Sequence, residues 1–207
     1  MGEESGKRRA GRPRAEEAEQ KRRGLIMTAL EEFARAGYHA ASLRDIAEKA
    51  QVSSRTLYNH YPDKLALFAA CLEYSSSQIQ MELPHFDGDL ERHLVAYATE
   101  VQRHLSQELS LQIATLIYRE GTEFEALREI ARVQFEQYQV GPVAVILKDH
   151  GVPAADCHEL AKQFVAMAFG EWQRRLLFGG PVMSEAEMLG QAQLVAQIFL
   201  RGICRGT

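Results

Sequence analysis

The chain has 207 residues, 46% hydrophobic and 25% charged, enough for one globular unit or a small domain joined to a larger one. No apolar run reaches the roughly eighteen residues of a membrane-spanning helix, and the basic N-terminus lacks the apolar segment of a secretory leader. Three widely spaced cysteines (Cys71, Cys157, Cys204) suit a reducing compartment, either as small buried hydrophobes or as a redox sensor, so a cytoplasmic location is expected.

Net charge is −4 but unevenly spread: residues 1–65 carry 13 Lys/Arg against 10 Asp/Glu, and residues 66–207 carry 11 against 18. A basic head on an acidic body confines attraction for phosphate to one end. Three segments are expected: a flexible basic arm (1–19), a small basic head (20–66) and a larger helical body (67–207). In the arm, Gly11-Arg12-Pro13 is flanked by Arg8, Arg9 and Arg14. Arg12 and Arg14 suit either a minor-groove hook or a solvated tail that binds through counterion release.

Leu25, Ile26, Ala29, Leu30 and Phe33 recur at helical spacing, with Gly37 as a stop. Ser42 then caps a short helix on which Leu43, Ile46, Ala47 and Ala50 form one apolar stripe. Gln51-Val52 makes a turn, Ser53 caps a second short helix, and Pro62 ends it. Leu57 and Tyr61 point inward on that second helix. Ser54, Arg55, Thr56, Tyr58, Asn59 and His60 are left outside. Exposed hydroxyls, Arg, Asn and an aromatic are poor for stability and good for reading a DNA groove. Asp63 is placed to cap the following helix, with Lys64 near its positive end.

The stretch Gly37–Phe68, with Ala41-Ser42-Leu-Arg-Asp-Ile-Ala-Glu-Lys-Ala, Val52-Ser53, Thr56-Leu57-Tyr58, His60-Tyr61-Pro62 and Lys64-Leu-Ala-Leu-Phe68, closely resembles the TetR family of bacterial regulators. The resemblance implies a three-helix DNA-binding head followed by a linking helix and a ligand-binding, dimerising body. It assigns Ser42 and Arg44 to phosphate or flanking bases, and Arg55 and Asn59 to the groove. Ser54, Thr56, Tyr58, His60 and Lys64 would fix register on the backbone. Gln51 departs from the family's turn glycine; if positive φ is needed there, the departure costs about 1–2 kcal/mol.

The linking helix is expected to run to about Glu82, before Pro84 and the Asp87-Gly88-Asp89 turn. Five further helices are expected near 90–107, 109–120, 123–149, 155–178 and 185–203, with Gly141-Pro142 kinking or splitting the third. No segment alternates with period two, so the fold class is all-α, about nine helices in total. The spans Leu109–Pro142 and Phe164–Gly179 are weakly similar to the AefR-like branch of the family, which implies a small hydrophobic ligand.

Tyr97, Val101, Gln102, Leu116, Phe135, Tyr138, Phe164 and Trp172 are the candidate ligand residues, either as cavity lining or as ordinary core, with Gln112, Gln134 and Gln163 as further polar handles. Leu160, Val165, Ala168, Leu189, Ala192, Val195, Ala196 and Phe199 give the last two helices wide apolar stripes suited to a four-helix dimer interface. No H-E-x-x-H, phosphate loop or nucleophile elbow is present, so no enzyme, metal or cofactor is expected. The expected function is a ligand-responsive regulator, a repressor, that binds a palindromic operator as a homodimer and is released by a small hydrophobic effector. The alternative is a constitutive DNA-binding or architectural protein without a ligand switch.

Overall fold

A computed structural model of the chain describes residues 12–80 and 89–203. The described residues are helical throughout, without strands, and divide into two units, 1–71 and 72–207. The sequence placed that division a few residues earlier, at 66/67.

In the first unit, α1 (Arg12–Ala36) buries Leu25, Ile26, Ala29, Leu30 and Phe33 along one stripe. The helix starts earlier than the sequence suggests. Pro13 falls in its first turn, where the missing amide donor has no partner to lose, so residues 12–19 extend the helix and are not arm. The basic run through residue 11, the side chains of Arg12 and Arg14, and Cys204 lie outside the described residues. α1 ends where Gly37 takes φ +84°.

Ser42 caps α2 (Leu43–Lys49) by accepting from the Asp45 amide, and Ser53 caps α3 (Ser54–His60) by accepting from the Thr56 amide at 3.0 Å. Phe33, Tyr38 and Phe68 interlock their rings, with centroids 5.2 to 5.9 Å apart. Buried Glu32 pairs with Arg35 and with Lys49, tying α1 to the end of α2. These bonds, that to Arg35 first, hold the Glu32 carboxyl below its ordinary range. Asp63 Oδ1 accepts from the Ala66 amide at 2.8 Å and opens α4 (Lys64–Gln80), whose Leu67, Phe68 and Cys71 complete this core.

The second unit contains α5 (Leu90–Leu105), α6 (Glu108–Glu120), α7 (Glu125–Phe135), α8 (Gly141–Asp149), α9 (Ala154–Phe178) and α10 (Glu185–Ile203). Between α7 and α8, residues Glu136–Val140 form one π turn, so 125–149 is a continuous rod. With it counted once, the described residues make nine rods. The π turn is the chain's accommodation of Pro142, which brings no amide to the carbonyl of Tyr138. The buried Tyr97 hydroxyl supplies the missing donor, reaching Tyr138 O at 3.1 Å and Gln139 O at 2.8 Å. Burial raises the Tyr97 phenol above its ordinary range, which keeps that donor protonated. α5 packs along α10 and α8 against α9, around Leu94, Val101, Leu147, Phe164 and Phe199.

Candidate functional site

The first candidate site is the outer face of α3. Leu57 is fully buried, and the Schellman-type turn before the helix fixes its direction. The Gln51 amide donates to Glu48 O and the Val52 amide to Ala47 O, both at 3.0 Å, with Gln51 at φ +56°. With Leu57 pinned inward, Arg55, Tyr58 and Asn59 share the opposite face at i, i+3 and i+4. All three are exposed, as are Ser54, Thr56, His60 and Arg44. Neither Arg44 nor Arg55 has an ion-pair partner among the described residues. A pair of bidentate-capable side chains one turn apart, flanked by hydroxyls, suits base edges and adjacent phosphates.

Three of the sequence-assigned DNA residues also have internal work. Ser42 is half-buried and spends its hydroxyl on the α2 cap. Thr56 Oγ1 lies 2.7 Å from Ser53 Oγ, within the α3 cap. Lys64 Nζ donates to His39 O at 2.9 Å and Ala41 O at 3.1 Å, and sits 4.8 Å from the centre of the Tyr38 ring. Its ammonium therefore holds the α1–α2 connection onto α4.

The second candidate site is a partly open cavity of about 470 Å³ in the second unit. Its apolar wall includes Leu72, Leu105, Ile113, Ile117, Phe135, Phe169 and Trp172. Polar lining comes from Ser75, Ser76, His104, Tyr118, Gln134, Gln139 and Gln173, with Arg128 and Arg132 on α7. Ser75 Oγ lies 3.4 Å from His104 Nε2. The buried Gln134 Oε1 and Trp172 Nε1 have no hydrogen-bond partner among the described residues. The π turn matters here, since it carries Gln139 on the cavity wall while Tyr97 holds its backbone from behind.

Of the ligand residues expected from sequence, Phe135 and Trp172 line this cavity, as does the handle Gln134. Tyr97, Val101, Gln102, Leu116, Tyr138 and Phe164 do not: each is buried in helix packing. Gln102, for example, donates to Ala168 O at 2.7 Å, and Phe164 meets the edge of Phe199 at 5.3 Å. Gln112 and Gln163 are exposed elsewhere. The lining residues missed from sequence include Ile113, Ile117 and Arg128. Among the described residues no cluster of three or more His, Cys, Asp or Glu is placed to hold a metal.

The expected dimer residues need the same kind of correction. Val165, Ala168, Ala192, Val195, Ala196 and Phe199 are in the core of their own chain and have no surface to offer a partner. Leu160 packs partly against that core, and only Leu189 is exposed. The same two helices do carry a second, outward apolar face. It consists of Ala166, Gly170 and Leu177 on α9, with Leu189, Gly190, Leu194 and Ile198 on α10.

An exposed polar face on a short helix, locked by a turn into a helix-turn-helix on a basic head, is the arrangement of a DNA-binding transcriptional regulator. Residues 25–71 match the family described as "Bacterial regulatory proteins, tetR family". Over those residues, which span the helix-turn-helix, the chain is similar to that family. It is 26% identical over 185 residues to the HTH-type transcriptional regulator YvkB of Bacillus subtilis (strain 168), covering 86% of this chain and 95% of that one. It is 46% identical over 70 residues to the HTH-type transcriptional activator FasR of Mycolicibacterium smegmatis, covering 33% of this chain and 30% of FasR. A solved structure from Mesorhizobium loti MAFF303099, assigned to the TetR family, shares the fold with TM-score 0.72 at 24% identity, over 89% of this chain and 96% of that one.

Proposed function

We propose that this regulator is a ligand-controlled repressor that binds a palindromic operator as a homodimer and is released by a small, largely apolar effector. The observation that carries the reading is the 470 Å³ cavity, within the roughly 300–1,000 Å³ range that houses one small organic molecule. A constitutive architectural protein has no use for such a space, which weighs against that alternative. Helix α4 supplies the connection: Leu67, Phe68 and Cys71 are in the head core, and Leu72, Ser75 and Ser76 further along the same helix line the cavity. An effector that fits the cavity best with α4 displaced would disfavour the DNA-bound arrangement, and it acts only through that differential affinity.

The dimer follows from two considerations. One seven-residue helix reads too few bases to be specific, and twofold pairing doubles the site. The outward faces of α9 and α10 offer the apolar surface, with Ala166, Gly170 and Gly190 small enough for close helix approach. By blocking a promoter, a dimer over such a site represses. A likeness to an activator at the head leaves that sign to be tested separately. The test is selection of binding sites from a random duplex library with the full chain, followed by a promoter–reporter fusion. The expected result is an enriched palindrome with half-sites about 34–36 Å apart, or a multiple of it, and reporter repression. Enrichment of no sequence, or of a single unrepeated half-site, overturns the reading.

A further inference from the structure

We propose that the cavity's effector is an aromatic anion, a planar apolar body carrying one carboxylate, with Arg128 as the group that recognises the charge. The inference deepens the ligand-switch reading above and rests on it. Charge distribution is the first argument. Residues 66–207 carry 11 Lys/Arg against 18 Asp/Glu, yet the cavity wall has two arginines and no acidic residue. On a body with an excess of acidic residues, a concavity whose charged lining is only cationic favours anions locally, and apolar walls focus the field inside it.

The two arginines are not equivalent. Arg132 is held by Glu129 through two bonds, at 2.9 and 2.7 Å, and its charge is largely spent. Arg128 lies one turn earlier on α7 and has no acidic partner among the described residues. Its stem is nevertheless seated. A Cβ on Gly121 would come 2.5 Å from the Ile117 carbonyl oxygen and 3.0 Å from Arg128 Cγ, so the glycine lets the backbone turn tightly with the Arg128 stem packed against that turn. A guanidinium without a carboxylate, positioned at the edge of an apolar cavity, is suited to bidentate capture of a ligand carboxylate.

The walls argue for the other half of the ligand. Phe135, Phe169, Trp172 and Tyr118 all line the space. Rings on several sides favour a flat π system that can stack offset on some and meet the edges of others. A cationic ligand would find no counter-charge here, and an aliphatic one would use fewer of these contacts.

The experiment uses three isosteric probes, 4-biphenylcarboxylate, 4-biphenylmethanol and 4-biphenylmethylammonium, titrated calorimetrically into the full-length protein. Trp172 is the only tryptophan in the chain and lines the cavity, so its emission reports occupancy of this site. The expected order is carboxylate, then alcohol, then ammonium. Because Arg128 is exposed at the edge, the first step should be about tenfold, near the lower end for a charge-assisted bond, and should shrink with added salt. Arg128→Gln should bring the carboxylate within about threefold of the alcohol and leave the alcohol unchanged. Binding with no preference for the carboxylate, or a preference that survives Arg128→Gln, overturns the inference and leaves the cavity a ligand site. If none of the probes binds and Trp172 emission does not move at millimolar concentration, the ligand-site reading falls and the inference with it.

Discussion

Replacing Gln51 by glycine should stabilise the protein, because Gln51 occupies a backbone conformation built for glycine. Its φ is +56°, and it is the only non-glycine residue with positive φ among the described residues. The hydrogen-bond pattern around it, Gln51 N–H to Glu48 O and Val52 N–H to Ala47 O, recurs at the end of α8. There Gly151 donates to Lys148 O and Val152 to Leu147 O, and Gly151 holds φ +83°. The same motif is thus built once with Gln and once with Gly. A side chain in the left-handed region costs about 1–2 kcal/mol. Glycine returns about 0.4–1 kcal/mol of that through a freer unfolded chain. The net expectation is a gain of about 0.5–1 kcal/mol, or roughly 2–4 °C in Tm for each kcal/mol in a chain of this size. Urea unfolding followed by helical circular dichroism measures it. The reciprocal Gly151→Gln should lose stability by a similar or larger amount. A Gln51→Gly variant equal to or less stable than the parent would refute the assignment of strain to this turn.

Three further outcomes follow from the packing. Tyr97→Phe leaves the Tyr138 and Gln139 carbonyls without their shared donor and should lower stability by about 1–3 kcal/mol in the same urea assay. Leu194→Glu puts a charge on the outward face of α10, so sedimentation should report monomers while helicity is retained; a persistent dimer would move the interface elsewhere. Glu187 accepts first from Arg175 and then from Ser184, which lowers its pKa from 4.5 to about 2. A depressed carboxylate pKa means its stabilisation is complete above about 4.5 and is lost as pH falls through about 2. The urea midpoint of the parent should therefore exceed that of Glu187→Gln at neutral pH, and the gap should close across that window.

The head was legible because each boundary has a local chemical mark. Ser42, Ser53 and Asp63 are the expected caps, their oxygens accepting first-turn amides, and Gly37 ends α1 with positive φ. The extent of the arm was misjudged because the polar residues after Pro13, Arg14-Ala-Glu-Glu-Ala-Glu19, continue a charged, non-apolar run while suiting the first turns of a helix. In the body the helix limits were readable from Gly and Pro breaks, but the faces were not. α9 and α10 are apolar on both sides, so periodicity alone cannot tell Val165 and Ala196, which face their own core, from Ala166 and Leu194, which face out. The cavity was hidden for a related reason. A residue lining a space and one filling it have the same apolar signature, and Arg128 reads from sequence as one more solvated charge on a helix.

We propose that the Arg55, Tyr58 and Asn59 face of α3 reads DNA sequence. The direct measurement is fluorescence anisotropy of the full chain, and of Arg55→Ala and Asn59→Ala, on the duplex enriched from the random library and on a scrambled duplex. Each substitution should reduce the preference for the enriched duplex by about tenfold or more, from loss of about 1–3 kcal/mol of base discrimination per half-site, with the helical signal unchanged. An undiminished preference in both variants would contradict the account and place sequence recognition on another surface.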